Sequence, residues 1–271
     1  MTWMGSVLYI ADDETDYIYK TAAPAGSNAL LGMTTDGTSL YLLVNNTPND
    51  SIIKVDVSGT KDTSFGTNGV LDTTKSSANA VAVFDSQLWV AELEQGNMGS
   101  DWKFQGYNLS NGNAGSDFSY NQVPMGQSVV KGLASDGDSL IVGHNGMQGG
   151  GMGGLILFDD NGNDTGSNIG LSDQPNSLGA LAYRSQSPEI ISALNDEITT
   201  YGSDGSYSNS FQTSVNDITG LAAIGHVLYV GDADNNKILK AAIPMTVSTI
   251  ETQGKAMAVD GDNMFIVVEA S

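Results

Sequence analysis

Apolar and polar positions alternate along this chain in a phrase that returns seven times. The copies are TWMGSVLYIAD (2–12), GMTTDGTSLYLLV (32–44), AVAVFDSQLWVAE (80–92), GLASDGDSLIVGH (132–144), ALAYRSQSPEIISAL (180–194), GLAAIGHVLYVGD (220–232) and AMAVDGDNMFIVV (256–268). Each passes from small apolar residues through a polar turn, often Asp-Gly, into β-branched and aromatic residues. A period-two pattern broken by such a turn predicts a β-hairpin. Its recurrence every few tens of residues predicts a repeat architecture.

A second, more polar hairpin follows four of the copies, at SIIKVDVSGTKDTSF (51–65), KFQGYNLSNGNAGSDF (103–118), GLILFDDNGNDTGSNI (154–169) and EITTYGSDGSYSNSF (197–211). Its turns, Ser58-Gly59, Asn111-Gly112, Asn161-Gly162 and Asp204-Gly205, place glycine where the backbone needs positive φ. Two hairpins in succession make a four-stranded antiparallel meander with an apolar inner half and a polar outer half. Such a sheet cannot bury both faces alone. Stacking the copies in a closed ring buries them and protects their edges. The expected fold is therefore all-β, a single β-propeller domain over 1–271, with six or seven four-stranded blades and seven favoured. VLYIADDETDYIYKTAAP (7–24) parallels VLYVGDADNNKILKAAIP (227–244), so residues 6–21 read as strands that complete a C-terminal blade in the six-bladed version. Either count predicts adjacent termini.

The run TKDTSFGTNGVLDTT (60–74) resembles the Asp-Thr-Ser-Phe-Gly-x-x-Gly signature of bacterial delta-60-type propeller repeats. Hairpins such as GLASDGDSLIVG are similar to those of NHL-like propellers. The signature is clear once and eroded in AGSDFSYNQVP and SNSFQTSVND, whereas the hairpin resemblance covers nearly the whole chain. It implies a propeller and leaves the activity open, because that fold hosts enzymes, receptors and scaffolds.

Charge narrows the partners. The chain has 31 acidic residues against ten basic ones, a net charge of −21, and Arg184 is its one arginine. That field repels nucleic acid and anionic lipid, so neither is an expected partner. There is no cysteine, which removes disulfide and thiolate chemistry. No run reaches the length of a membrane-spanning helix, and the first residues lack the basic and apolar regions of a signal peptide. Richness in Gly, Asn, Ser and Thr with few Lys, Arg and His points by composition to an extracellular or virion-surface protein.

Candidate chemistry gathers at one repeated position. Aligning the second strands puts Asp12, Val44, Glu92, His144, Leu194, Asp232 and Val268 at equivalent places. Asp12, Glu92, His144 and Asp232 are the expected ligand-binding residues at the channel mouth, a partial ring suited to a cation or a hydroxyl-rich ligand. Asp232, Asp234 and Asn236 have the spacing that opens a Ca2+ loop, but Lys237 and Ile243 stand where an EF-hand needs Gly and Glu. Any Ca2+ site expected at these three residues is therefore a looser one using carbonyls, against a solvated turn as the plainer expectation. His226 reads as a turn residue. No serine sits in a nucleophile elbow, and two histidines give little scope for a zinc site. The expected function is a non-catalytic recognition or assembly module binding glycan or protein subunits, with assembly into a larger particle as one outcome. The alternative is a carbohydrate-active lyase or hydrolase with its site at the channel mouth.

Overall fold

The recurring phrase folds as an antiparallel hairpin, and two such hairpins in succession build one blade. The computed structural model describes residues 30–242 apart from 47, 58, 74–76, 97–98, 122–129, 145–153, 172–177, 187, 214, 226 and 235–236, together with strands at 9–11, 17–20, 254–260 and 263–268. Blade 1 is β3 (Leu30–Thr35), β4 (Ser39–Val44), β5 (Ser51–Asp56) and β6 (Val70–Asp72). Blade 2 is β7 (Ala78–Phe84), β8 (Gln87–Gly96), β9 (Gly99–Asn108) and β10 (Ala114–Tyr120). Blade 3 is β11 (Val130–Ser135), β12 (Leu140–His144), β13 (Gly154–Phe158) and β14 (Ile169–Gly170). Blade 4 is β15 (Ala180–Arg184), β16 (Glu189–Leu194), β17 (Glu197–Gly202) and β18 (Tyr207–Gln212).

Blade 5 draws on distant parts of the chain. It takes β19 (Ile218–Ile224), β20 (Val227–Asp232) and β21 (Lys237–Ala242), and its fourth place is filled by β2 (Tyr17–Lys20), with β1 (Tyr9–Ala11) outside it. Tyr17, Ile18 and Tyr19 pair antiparallel with Lys240, Leu239 and Ile238. The hairpin β22 (Gly254–Asp260) and β23 (Asn263–Val268) forms a two-stranded sheet of its own.

The ring closes at five blades, which corrects the expectation of six or seven. Inner strands β3, β7, β11, β15 and β19 are neighbours in turn, and β19 returns to β3. Five hydrophobic clusters fill the five interfaces between successive blades, including one that joins Tyr229 and Ile238 of blade 5 to Leu42 and Ile53 of blade 1. The physical reason for the miscount is that a hairpin phrase reports a strand pair, whereas the number of blades follows from the wedge angle between packed sheets. Among the described residues the first copy of the phrase contributes β1 at the edge of blade 5, and the last forms the separate pair β22–β23. The expected adjacency of the termini concerns chain ends that lie outside the described residues; what the structure joins is β2 to β21.

Small residues in the phrase are set by this closure. A Cβ on Gly220 of β19 would lie 2.8 Å from Met33 of β3, so the inner strands approach too closely for a side chain there. The expected turn glycines also hold: Gly59, Gly112, Gly162 and Gly205 have φ of 84, 75, 75 and 82°. At the inner rung, four of the five ring hairpins carry a bulge, between Leu30/Gly32, Ala78/Ala80, Val130/Gly132 and Ile218/Gly220. The extra residue in each is Leu31, Asn79, Lys131 or Thr219. An inserted residue bends the strand and re-aims its side chain. Among the described residues no helix is long and apolar enough to cross a membrane.

Candidate functional site

In four blades the aligned residue of the second strand lies opposite the bulged start of the inner strand: Val44 faces Leu30, Glu92 faces Ala78, His144 faces Val130 and Asp232 faces Ile218. For these four residues the repeat alignment corresponds to one structural position. Side chains alternate between the faces of a strand. Val44 belongs to the cluster between blades 5 and 1, and Leu88 and Val90, in phase with Glu92, belong to that between blades 1 and 2. By the same phase His144, Leu194 and Asp232 fall in the clefts between blades 2 and 3, 3 and 4, and 4 and 5. The structure therefore places these five residues one to a cleft around the ring, and brings no two of them into one cleft.

Their surroundings differ. Glu92 lines a groove of about 60 Å3 with Val90, Lys103, Gln105, Asp117 and Phe118, and Lys103 stands directly across the ladder from it. His144 is half-buried, its ring 5.6 Å from that of Trp102. Trp102 and its neighbours form an aromatic layer between blades 2 and 3: Phe104 stacks on Phe118 at 4.5 Å, and Tyr120 meets Phe158 edge-on at 5.1 Å. Asp232 is buried, and Lys237 pairs with it across β20 and β21. Asp234 is exposed, while Asp12, Asn236 and His226 lie outside the described residues. Among the described residues no three of His, Asp or Glu converge as a metal site.

Asp50 is a carboxylate that sequence reasoning passed over. It is 2% exposed and accepts a hydrogen bond of 2.9 Å from the backbone N–H of Ala78, tying blade 1 to the inner strand of blade 2. Burial pushes its carboxyl above the ordinary carboxylate value, opposed by the N–H groups of Ala78 and Asn46. Its carbonyl accepts both the N–H and the hydroxyl of Thr73, at 3.0 and 2.8 Å. Thr213 makes the same pair of bonds to Asp196 in blade 4. Recurrence of Asp…Thr at the blade joints is the signal that would have found it.

The axis itself is nearly filled. Gly32, Asn79, Lys131, Leu181 and Thr219 are among its lining residues, and the space between the inner strands is about 10 Å3, close to what one water needs. Thr219 is anchored by a 2.7 Å hydrogen bond from its hydroxyl to the Leu30 carbonyl, while Asn79 Oδ1 is buried without a hydrogen-bond partner. In sequence each bulge residue sits one position before the recurring phrase, outside its apolar–polar pattern.

The sequence matches no protein-family model and no curated protein. Solved structures do resemble the fold. A glutaminyl cyclase from Myxococcus xanthus superposes with a TM-score of 0.61 at 9% identity, covering 87% of this chain and 95% of that one. The WD40 propeller domain of Doa1 gives 0.50 at 12% identity, covering 88% and 86%. With the closed ring of blades, these likenesses establish a β-propeller. Identities this low carry the fold and no activity.

Proposed function

We propose that the protein is a non-catalytic recognition or assembly module, working at a cell surface or on a virion, with a glycan or a protein subunit as its partner. The observation that supports this reading most directly is the dispersal of its polar candidates. Acid–base chemistry needs groups converging on one reacting atom, and Glu92, His144 and Asp232 occupy three different clefts. A nearly filled axis likewise favours contact across the faces of the disc over a substrate drawn between the blades. Within this proposal the Asp62–Gly69 run keeps its likeness to delta-60-type repeats, since Phe65 is fully buried and the loop bonds to the next blade through Gly66 N–H and the Asn111 carbonyl.

A second reading, a carbohydrate-active enzyme, draws on Glu92 and Asp117, two carboxylates lining one groove. One experiment separates the two: a glycan array and a polysaccharide-degradation panel run on the same preparation, with mass measured across a concentration series. The module predicts retention on the array or concentration-dependent assembly, with no product released. Release of product that stops in Glu92→Ala would establish the enzyme instead.

A further inference from the structure

Two hairpins, β22–β23 and β1–β2, carry the register of blade halves. In β22–β23 the rungs run from Asp260↔Asn263 to Ala256↔Val267, and a bulge separates the last from Gly254↔Val268. The inner hairpin β19–β20 has the same rungs, from Ile224↔Val227 to Gly220↔Gly231, with the same bulge before Ile218↔Asp232. β22–β23 is thus built as the first and second strands of a blade. In β1–β2, Tyr9, Ile10 and Ala11 face Lys20, Tyr19 and Ile18. The matching residues of β20–β21, Tyr229, Val230 and Gly231, face Lys240, Leu239 and Ile238. β1–β2 is therefore built as a second and a third strand.

Neither half is seated as it is built. In the ring every second strand is flanked on both sides: β4 by β3 and β5, β8 by β7 and β9, and likewise β12, β16 and β20. Such strands have no face for solvent, since Leu40–Val44 of β4 and Ile190–Ala193 of β16 are buried without a break. Among the described residues β23 is paired on one side alone, by β22. Its sequence, NMFIVV, has neither the charge nor the proline that blunts an exposed edge. A two-stranded hairpin is by itself marginal in water. β2 has the converse fault. It occupies the fourth place of blade 5, where blades 2 and 4 carry the largely exposed strands AGSDFSY and YSNSFQ. Its own sequence, YIYK, matches the third strand KILK instead.

The strand that one hairpin lacks is the strand that the other misplaces. Within one chain the two stay apart, because β2 is held on β21. We propose that two copies of the chain exchange their β1–β2 hairpins. β2 of each copy then pairs with β23 of the other, completing a four-stranded sheet in the order β22, β23, β2, β1. Each ring keeps its five blades. The seat that β2 leaves is lightly fastened, by three residue pairs, and exchange of identical elements is a low-cost route to a dimer. Main-chain bonding to an open strand edge supplies the affinity. Carrying over the β20–β21 register sets Tyr19 opposite Ile266 and Ile18 opposite Val267. This rests on the reading of the protein as an assembly module and names its partner as a second copy.

The test exploits a chain without cysteine. Full-length Tyr19→Cys and Ile266→Cys chains are prepared separately, mixed in equal amounts, warmed to permit exchange and oxidised with diamide. Residues directly opposite across a ladder are close enough to be trapped in this way. The expected product is a disulfide-linked pair of chains, several-fold more abundant in the mixture than in either variant alone. Ile18→Cys mixed with Val267→Cys repeats the trap one rung along, in case one substitution disturbs folding. The unmodified chain, followed by light scattering across a concentration series, should pass from the mass of one chain to that of two. A single-chain mass at every concentration would overturn the exchange, as would the absence of a mixed product from both pairs. Linkage confined within one chain in a Tyr19→Cys/Ile266→Cys double variant would overturn it too. Ile266→Cys alone dimerising as strongly as the mixture would show that β23 pairs with another β23, and would also overturn it. Each of these results leaves glycan recognition standing, and that reading fails separately, by product release on the polysaccharide panel.

Discussion

Glycine at the hairpin turns does two jobs that substitutions can separate. Gly37 has φ of 89° with open space around it, whereas a Cβ on Gly162, φ 75°, would meet the Phe118 ring at 2.4 Å. A left-handed conformation costs an L-residue about 1–2 kcal/mol, and overpacking adds about 1–3 kcal/mol. Gly37→Ala should therefore pay only the backbone cost, and Gly162→Ala should be the more destabilising of the two in urea unfolding. Equal losses would mean that the Phe118 contact relaxes freely. Aspartates in these turns carry a pH signature. Hydrogen bonds from Asn163 hold Asp159 below its ordinary value of 3.8, and those from Ser206 do so for Asp204. A depressed carboxylate contributes stability that is present above its unfolded value and disappears as pH falls through the folded one. The melting deficit of Asp159→Ala/Asp204→Ala should be largest near neutrality and close below 3.8. Asp50 has the opposite sign: its raised carboxyl is relieved of a burial penalty on protonation. Turn glycines and Asx residues were legible in the sequence because their chemistry is local. Asp50 was not, because its partner Ala78 is 28 positions away and its one mark, the Asp…Thr pairing shared with Asp196 and Thr213, joins residues far apart in the chain.

The outer hairpin of blade 1 shows what one element can secure. Phe65 is fully buried, edge-on to Tyr41 at 5.7 Å, and Lys54 lies over the Tyr41 ring at 5.5 Å while pairing with Asp62 at 3.2 Å. The Lys54 ammonium and the Tyr41 hydroxyl both reach the Leu109 carbonyl of blade 2 at 3.4 Å. Truncating a buried phenylalanine costs about 3–5 kcal/mol. Phe65→Ala should lose that much, and hydrogen exchange should show the added opening concentrated in β5, β6 and the turn at Leu109–Gly112. Uniform loss of protection across all blades would argue that the contact is not local. The signature run was readable as a hairpin, but its packing against a second blade required knowing which sheets are neighbours. Short outer strands were the least legible elements: β14 has two residues and β6 three, too few for alternation to register.

For the whole molecule, the all-β ring followed from the pattern and its size did not. Five of the seven phrases occupy the ring, one forms β22–β23, and the described part of the first is β1 at the edge of blade 5. The nominated polar ring was equally a matter of scale. Glu92, His144 and Asp232 do share a register position, yet by strand phase they fall in separate clefts, because inter-blade packing fixes the direction of each. Net charge acts at this scale too. At −21 the folded disc repels itself, so added sodium chloride should raise the melting temperature until the charges are screened. A melting temperature that falls with salt would show that attractive pairs outweigh repulsion.

The clasp between β2 and β21 has a mechanical consequence. Its three residue pairs are the seam at which an early part of the chain holds a late one. Pulled at residue 9 and residue 242 in an optical trap, the molecule should part first along that line, at a small load. The four continuous blades should yield afterwards, in larger steps. A latch that opens before its frame would let the ring be unfastened without being unfolded.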